Sequence, residues 1–338
     1  MIKSVESFCV VALAGLAVAT PAMAQEKITL KFAHQFPANN YLWVEGGQVF
    51  ADAVTQATGG KVQFQVFPGA QLGKDNLTLM SSGLADMVAL VPSYTPEKLA
   101  MSSVAELPGL FSSACEGTKK AWKIAQPGGL LDQAEYAPQG FRAVFVVTAP
   151  PYKIFTKNKP VEKLEDLVSL RIRAGGGGLD TTLRTLGGVP VKLPATELYD
   201  SIARGTLDGA MFPYLALSLF DLDTSFKHGI EGVPLGTASI IYAMREKSWQ
   251  KLGPEAQKAV TEAGAKAQEH LCAWKDNEDT TVRARMVENG FQAKKLTPEE
   301  QARWNERLTL VGDAWVKQIA KSGSDGQPLL DAMRASAE

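Results

Sequence analysis

Short runs in which apolar residues recur at every second position are separated along this chain by longer runs in which they recur every three or four. The first spacing predicts strands and the second helices. Ile28-Thr29-Leu30-Lys31-Phe32 is the first such strand, and Trp43 to Thr58, with apolar Val44, Phe50, Ala51 and Val54, is a helix that Gly59-Gly60 stops. Val62 to Phe67 predicts a strand, Asp75 to Gly83 a helix and Asp86 to Val91 a buried strand. This β-α-β-α-β opening is the pattern of a parallel sheet covered by helices.

Near Gln139 the pattern changes. Ala143 to Thr148, Tyr152 to Thr156 and Leu170 to Ala174 read as successive strands. The α/β alternation then restarts, with Thr181 to Leu186 and Thr196 to Arg204 helical and Pro190 to Leu193 and Leu207 to Phe212 extended. From Pro254 to about Val287, and again from Pro298 to Ala320, the chain is rich in Ala, Lys, Glu and Gln and reads as long helices. The expected class is α/β in two lobes, the final helices bracing both. Residues 25–149 with about 239–278 form lobe I, and 150–238 with about 279–338 form lobe II. The length of 338 residues agrees, since single cores stop growing near ~250–300.

With 35 basic and 36 acidic side chains, the formal charge of −1 gives no surplus to neutralise phosphates, so nucleic acid is not an expected partner. Three Cys and three His are too few for a zinc framework, and neither a metal nor another cofactor is expected. Residues 1–24 read as a secretory signal peptide: Lys3, then apolar Phe8 to Val18, then Ala22-Met23-Ala24 before Gln25. Its removal takes Cys9 away and sends the chain to the periplasm. Cys115 and Cys272 remain, and their sequence separation leaves open whether they pair.

The search for catalytic patterns is negative. Gly69-Ala70-Gln71-Leu72-Gly73-Lys74 has the wrong spacing for a phosphate loop, and Asp75 stands where Ser or Thr should follow. Gly175 to Gly178 follow a strand and precede a helix, yet Asp180 occupies the third fingerprint position of a dinucleotide site. No nucleophile turn is present, and His34, His228 and His270 lie apart, so no catalytic residue is assigned. A two-lobe exported chain without such machinery fits a binding protein whose lobes close on a solute.

Several stretches in order resemble the solute receptors of tripartite ATP-independent periplasmic (TRAP) transporters, the DctP-like family. They are Pro68-Gly69-Ala70-Gln71-Leu72-Gly73, Gly83-Leu84-Ala85-Asp86, Lys159-Pro160 through Asp166-Leu167 to Leu170-Arg171-Ile172-Arg173, and Glu197-Leu198-Tyr199 with Gly205 to Gly209 and Pro213. The resemblance implies a two-lobe periplasmic binding protein fold, a small organic acid as ligand, a membrane permease as partner and no catalysis.

Strand alternation puts Arg171 and Arg173 on one face and does not choose between them; the resemblance picks Arg173 as the carboxylate-binding residue. It also places Phe212 where many relatives carry an Asn, and Tyr152 or Lys153 where they carry a second basic residue. Only one of that pair can face the cleft. His34, Phe36 and Trp43 in the loop after the first strand, with Tyr94 and Tyr214, complete the expected lining. Rings in place of amides and charges favour a flat apolar ligand. The chain is thus expected to be a monomeric periplasmic receptor that delivers an organic acid, an aromatic monocarboxylate, to its permease. The alternatives are a small aliphatic keto or hydroxy acid, a dicarboxylate, or an enzymatic role. The Gly175 to Gly178 run serves either close backbone approach to the ligand or a flexible turn.

Overall fold

The computed structural model describes residues 27–335; the expected signal peptide and Cys9 lie outside the described residues. Its strands are β1 (Ile28–Ala33), β2 (Val62–Phe67), β3 (Met87–Leu90), β4 (Phe141–Thr148), β5 (Lys153–Thr156), β6 (Arg171–Arg173), β7 (Val189–Val191), β8 (Gly209–Phe212), β9 (His228–Glu231), β10 (Ser239–Arg245) and β11 (Gln292–Lys295). The helices are α1 (Val49–Ala57), α2 (Asn76–Ser82), α3 (Ala114–Ala125), α4 (Gly177–Thr185), α5 (Leu198–Ala203), α6 (Tyr214–Leu219), α7 (Glu246–Trp249), α8 (Pro254–Glu288), α9 (Pro298–Lys321) and α10 (Gln327–Arg334).

Each lobe holds one sheet. The first runs β2-β1-β3-β10-β4 and the second β11-β9-β5-β8-β6-β7. The α/β alternation yields the parallel pairs of β1 with β2 and β3, and of β6 with β7 and β8. Both sheets are nevertheless mixed. The strands by which the chain enters a sheet from the other lobe run the opposite way, β10 between β3 and β4 and β5 between β8 and β9.

Local chemistry ends the elements where the sequence marks them. Asp75 accepts from Thr78 N at 3.0 Å to start α2, and Gly83, at φ 82°, stops it. Thr297 caps α9 ahead of Pro298. The first-lobe core gathers Phe32, Phe50, Phe145 and Tyr242, all at most 1% exposed, with the last two rings stacked at 4.0 Å. Truncating such a ring typically costs ~3–5 kcal/mol. Seven elements fall outside those expected: α3, α6, α7, α10, β9, β10 and β11. β11 reads Gln-Ala-Lys-Lys, an edge strand without apolar alternation that is held by backbone pairing to β9.

The chain passes between the lobes at 149–152, at 232–238 and along α8. The first two segments are bonded together: Ala149 N donates to Ala238 O, Tyr152 N to Gly236 O, and Thr237 Oγ1 to Ala149 O at 2.7–2.8 Å. α8 belongs to both lobes. Asp276 accepts from the amides of Ala114 and Cys115 at the start of α3 (2.7 and 3.0 Å), and one turn later Asp279 accepts from Leu215 N at the start of α6 (3.0 Å). Cys115 and Cys272 form a disulfide between α3 and α8. α9 lies against α4, and its Trp315 Nε1 donates to Ser103 Oγ in the first lobe. α10 packs on α3, so residues 327–334 sit with the first lobe, not with the second as the boundary read from sequence has it.

Candidate ligand-binding cleft

The carboxyl ends of β1, β3 and β4 in the first lobe and of β6 and β8 in the second point at one another. Open α/β sheets present ligand sites at such ends. The cavity between them is lined from the first lobe by Phe36, Tyr41, Leu42, Val91, Ser93 and Tyr94, and from the second by Arg173, Gly175, Leu179, Phe212, Ala216 and Phe220, with Tyr152 at the crossing. The space free to water centres is about 50 Å³. That is room for about four waters at ~10–15 Å³ each, or roughly 120 Å³ of liquid.

Arg173 carries the only charge in this lining. It is 2% exposed, yet it forms no salt bridge among the described residues. Its Nε donates to Leu193 O at 2.9 Å, its Nη1 reaches Met211 O at 3.5 Å, and its guanidinium lies 4.9 Å over the Phe212 ring. Backbone oxygens and a ring thus orient the group without neutralising it. A buried cation left this way is costly unless an anion joins it. Arg171, two residues earlier, is exposed and committed to Asp208, Nε to Oδ2 at 3.0 Å. The ambiguity left by alternation is resolved along the strand axis, since only the last residue of β6 reaches the cleft.

Rings dominate the remaining wall. Phe212 meets Tyr152 edge-on at 6.0 Å and Phe220 at 5.7 Å. Phe212 closes β8, and Ala216 and Phe220, four apart on α6 and its C-terminal cap, join the same wall. Phe220 is absent from the sequence-based set. The Tyr94 hydroxyl accepts from Ala195 N at 3.1 Å, a bond from one lobe to the other.

Four expected residues lie elsewhere. Tyr214, two positions from Phe212, is turned to the opposite side of α6, where it packs on Phe155 and Phe291 and donates to Glu231 Oε1 at 2.8 Å. Lys153 points away from Tyr152, as strand alternation requires, and its Nζ donates to Pro151 O. Burial lowers its pKa, against the pull of Asp279 and Glu231. Trp43 folds back on β1, T-shaped to Phe32 at 5.3 Å and stacked on His34 at 4.8 Å. His34 is buried between Trp43 and Phe36 with neither ring nitrogen bonded, and desolvation lowers its pKa to about 4, so it is a neutral core ring. Tyr41 and Leu42 reach the cavity in place of Trp43.

The glycine run serves contact between the lobes. Gly175, Gly176 and Gly177 have φ of 45°, 99° and 57°, a region that side chains disfavour. A Cβ on Gly176 would lie 2.5 Å from Ser93 O, and one on Gly177 2.9 Å from Glu106 Oε2, both atoms of the first lobe. Glu106 is wholly buried at this contact. Desolvation raises its pKa to about 8; Ser93 and the amides of Gly178 and Ser239 oppose the shift, but neither oxygen reaches hydrogen-bond geometry.

A family model described as bacterial extracellular solute-binding protein, family 7 (DctP), matches residues 32–318. The C4-dicarboxylate-binding periplasmic protein DctP of Rhodobacter capsulatus is 26% identical over 311 residues, 90% of this chain and 91% of its own length. A TRAP solute binding protein from Rhodoferax ferrireducens T118, solved in complex with copurified benzoate, has a TM-score of 0.80 at 24% identity, covering 91% of this chain and 97% of its own. DctP7, an extracytoplasmic solute receptor of Bordetella pertussis binding pyroglutamic acid, has a TM-score of 0.79 at 25% identity, over 91% and 99%.

Proposed function

Because the chain belongs to family 7 of the bacterial extracellular solute-binding proteins, the DctP family of TRAP solute receptors, we propose that it closes on a small aromatic monocarboxylate and delivers it to a membrane permease. In this reading it is exported through its N-terminal signal peptide and works as a periplasmic monomer. Family and fold are those of transport receptors, and no chemical step is assigned to it.

The observation that carries the ligand class is a buried, unneutralised Arg173 inside a wall of Phe36, Tyr41, Tyr94, Tyr152, Phe212 and Phe220. The guanidinium offers a carboxylate two parallel charged hydrogen bonds, and the rings offer a flat ligand offset or edge-on contacts. A space of roughly 120 Å³ suits one six-membered ring bearing a carboxylate. A sugar acid would bury hydroxyls with few partners, each unmet group costing ~1–3 kcal/mol. The benzoate bound by the Rhodoferax relative supports the reading, and the pyroglutamate and C4-dicarboxylate relatives supply the competitors to test.

Calorimetry with benzoate, 3-hydroxybenzoate, succinate, pyroglutamate and galacturonate is the test. The aromatic acids are expected to bind at least tenfold more tightly than the others. Arg173→Ala is expected to weaken them roughly 30-fold or more, the cost of truncating a buried charged partner being ~2–5 kcal/mol, while Arg171→Ala changes affinity less than threefold. Tight binding of a dicarboxylate, pyroglutamate or uronate with no response to any aromatic acid overturns the proposed ligand class.

A further inference from the structure

Arg173 is not the only cation buried beside the ligand cavity without a counter-ion. Lys275, in the middle of α8, is 0% exposed and forms no salt bridge among the described residues. Its ammonium donates to Thr148 O at 3.2 Å and lies 5.8 Å from the centre of the Tyr41 ring. A carbonyl dipole and the face of a ring make a buried ammonium tolerable, but neither cancels its charge. Two acids share this stretch of α8, and both are committed to helix amides, Asp276 to those of Ala114 and Cys115 and Asp279 to that of Leu215.

Both contacts of Lys275 belong to the cavity wall. Tyr41 lines the cavity directly, and Thr148 ends β4 immediately before Ala149, which also lines it. Trp274, the neighbour of Lys275 on α8, stacks on the Tyr41 ring at 5.3 Å and fixes it in place. Lys275 therefore stands one layer behind the lining, on the side of the first lobe, while Arg173 is in the lining on the side of the second. A fixed charge in a wall of low polarity acts beyond contact: a carboxylate roughly 8–12 Å away gains about ten- to thirtyfold in affinity.

We propose that Lys275 is the second cation of the binding site, a positioning residue that acts on the ligand through the wall rather than by contact and makes the site choose an acid over its uncharged counterpart. The proposal rests on the reading of the ligand as a carboxylate, and it holds whether or not that acid is aromatic. Arg173 alone discriminates less, because its N–H groups can donate to the carbonyl oxygen of an amide as well as to a carboxylate. Lys275 touches neither and responds to net charge.

The test is calorimetry on the full chain and on Lys275→Met, which keeps the length of the side chain and removes its charge. Three acids, benzoate, pyroglutamate and succinate, are each compared with the corresponding amide. Burial lowers the Lys275 pKa to about 7, with Asp276 opposing the shift, so the titrations are run at pH 6, where the group is charged. For an acid that binds, Lys275→Met is expected to lower the acid-to-amide affinity ratio about ten- to thirtyfold, with the amide itself within about threefold. Lysine carbon NMR on the unmodified protein keeps the test open should the variant not fold or the amide bind too weakly to measure. The Lys275 titration midpoint is expected to rise by about one pH unit with the bound acid. An unchanged ratio, equal weakening of acid and amide, or a midpoint that ignores the bound acid overturns the inference and leaves Lys275 a packing residue. Binding of pyroglutamate or succinate without benzoate overturns the aromatic-acid reading alone, since the comparison is then made on that acid. Failure of all three acids to bind the unmodified chain overturns the carboxylate reading and the role of Lys275 with it.

Discussion

Two of the places where the lobes meet are built from opposite materials. On the side of α8 the link is a helix anchored in each lobe, by the Cys115–Cys272 disulfide and Asp276 to α3 in the first and by Asp279 to α6 in the second, beside two crossing segments tied to each other. Every polar group named there has its partner. On the side of the glycine run, Ser93 and Glu106 meet Gly176 and Gly177 with no side chain between them, and the Glu106 carboxyl is buried without a hydrogen bond. One contact is satisfied in itself and the other is not. The difference teaches which of them is meant to part: a surface that leaves a carboxyl unmet when closed gains by opening to water, unless a ligand offsets the cost.

Three experiments break or sharpen this contrast, beginning with the largest effect. Replacing Cys115 and Cys272 by Ser frees a loop of 157 positions. Equilibrium unfolding is expected to show a loss of ~2–5 kcal/mol, with ligand affinity kept within threefold because the satisfied contact does not open during binding. A large affinity loss with little change in stability would reverse the assignment of the two contacts.

Gly176→Ala is next. Its Cβ would meet Ser93 O only when the lobes are together, so affinity is expected to fall about 10- to 100-fold, in line with an overpacking cost of ~1–3 kcal/mol. Gly187→Ala is the control. Its φ of 96° imposes a similar backbone strain, but no atom lies within 4 Å of its added Cβ. It should lower stability and spare binding. Equal affinity losses in the two variants would mean that strain alone is being measured.

The effect that is smallest per step is the pH dependence of closure. Glu106 has a pKa of about 8 when buried, above the ordinary carboxyl value of about 4.5, so the closed state holds a proton that the open, solvated state releases. Closure is therefore favoured fully below about 4.5, and that advantage is lost as pH rises through about 8. Affinity for a given acid is expected to fall roughly two- to tenfold per pH unit between about pH 5 and 8 and then to level off. Glu106→Gln should flatten the profile, measured by titration in buffers of different ionisation enthalpy. The neighbour that could confuse the result is Asp180, whose pKa burial raises and whose Oδ1 accepts from Gly176 N. An unchanged slope in the Gln variant would assign it to that carboxyl.

Much of the fold could be read from the chain because its elements announce their own ends. Asp75 and Gly83 bound α2, and Pro254 and Pro298 open the two long helices. β9 and β11 could not, since four-residue strands without alternation are specified by the neighbours they pair with, which lie far away in sequence. The site divides in the same way. Arg173 was reachable from its place at the end of a strand before four glycines. Trp43, His34 and Tyr214 look equally suitable as a list of rings, yet a turn before α1 and half a turn of α6 direct them into the lobes. Glu106 and Lys275 gave no sequence signal, because what distinguishes them is a missing partner, and that exists only in three dimensions.

The interleaved strand order has a consequence for how the molecule comes into being. β10 lies between β3 and β4, so the first sheet is split until residue 245 has been made, and the second gains its last strand only at 292–295. Neither lobe is a segment that can finish folding while the rest of the chain is still to come. Long-range pairing of this kind delays the barrier to folding until most of the sequence is present. A fragment ending near residue 150 should behave as an incomplete sheet with an unpaired edge, and assembly of the two lobes is a single late event.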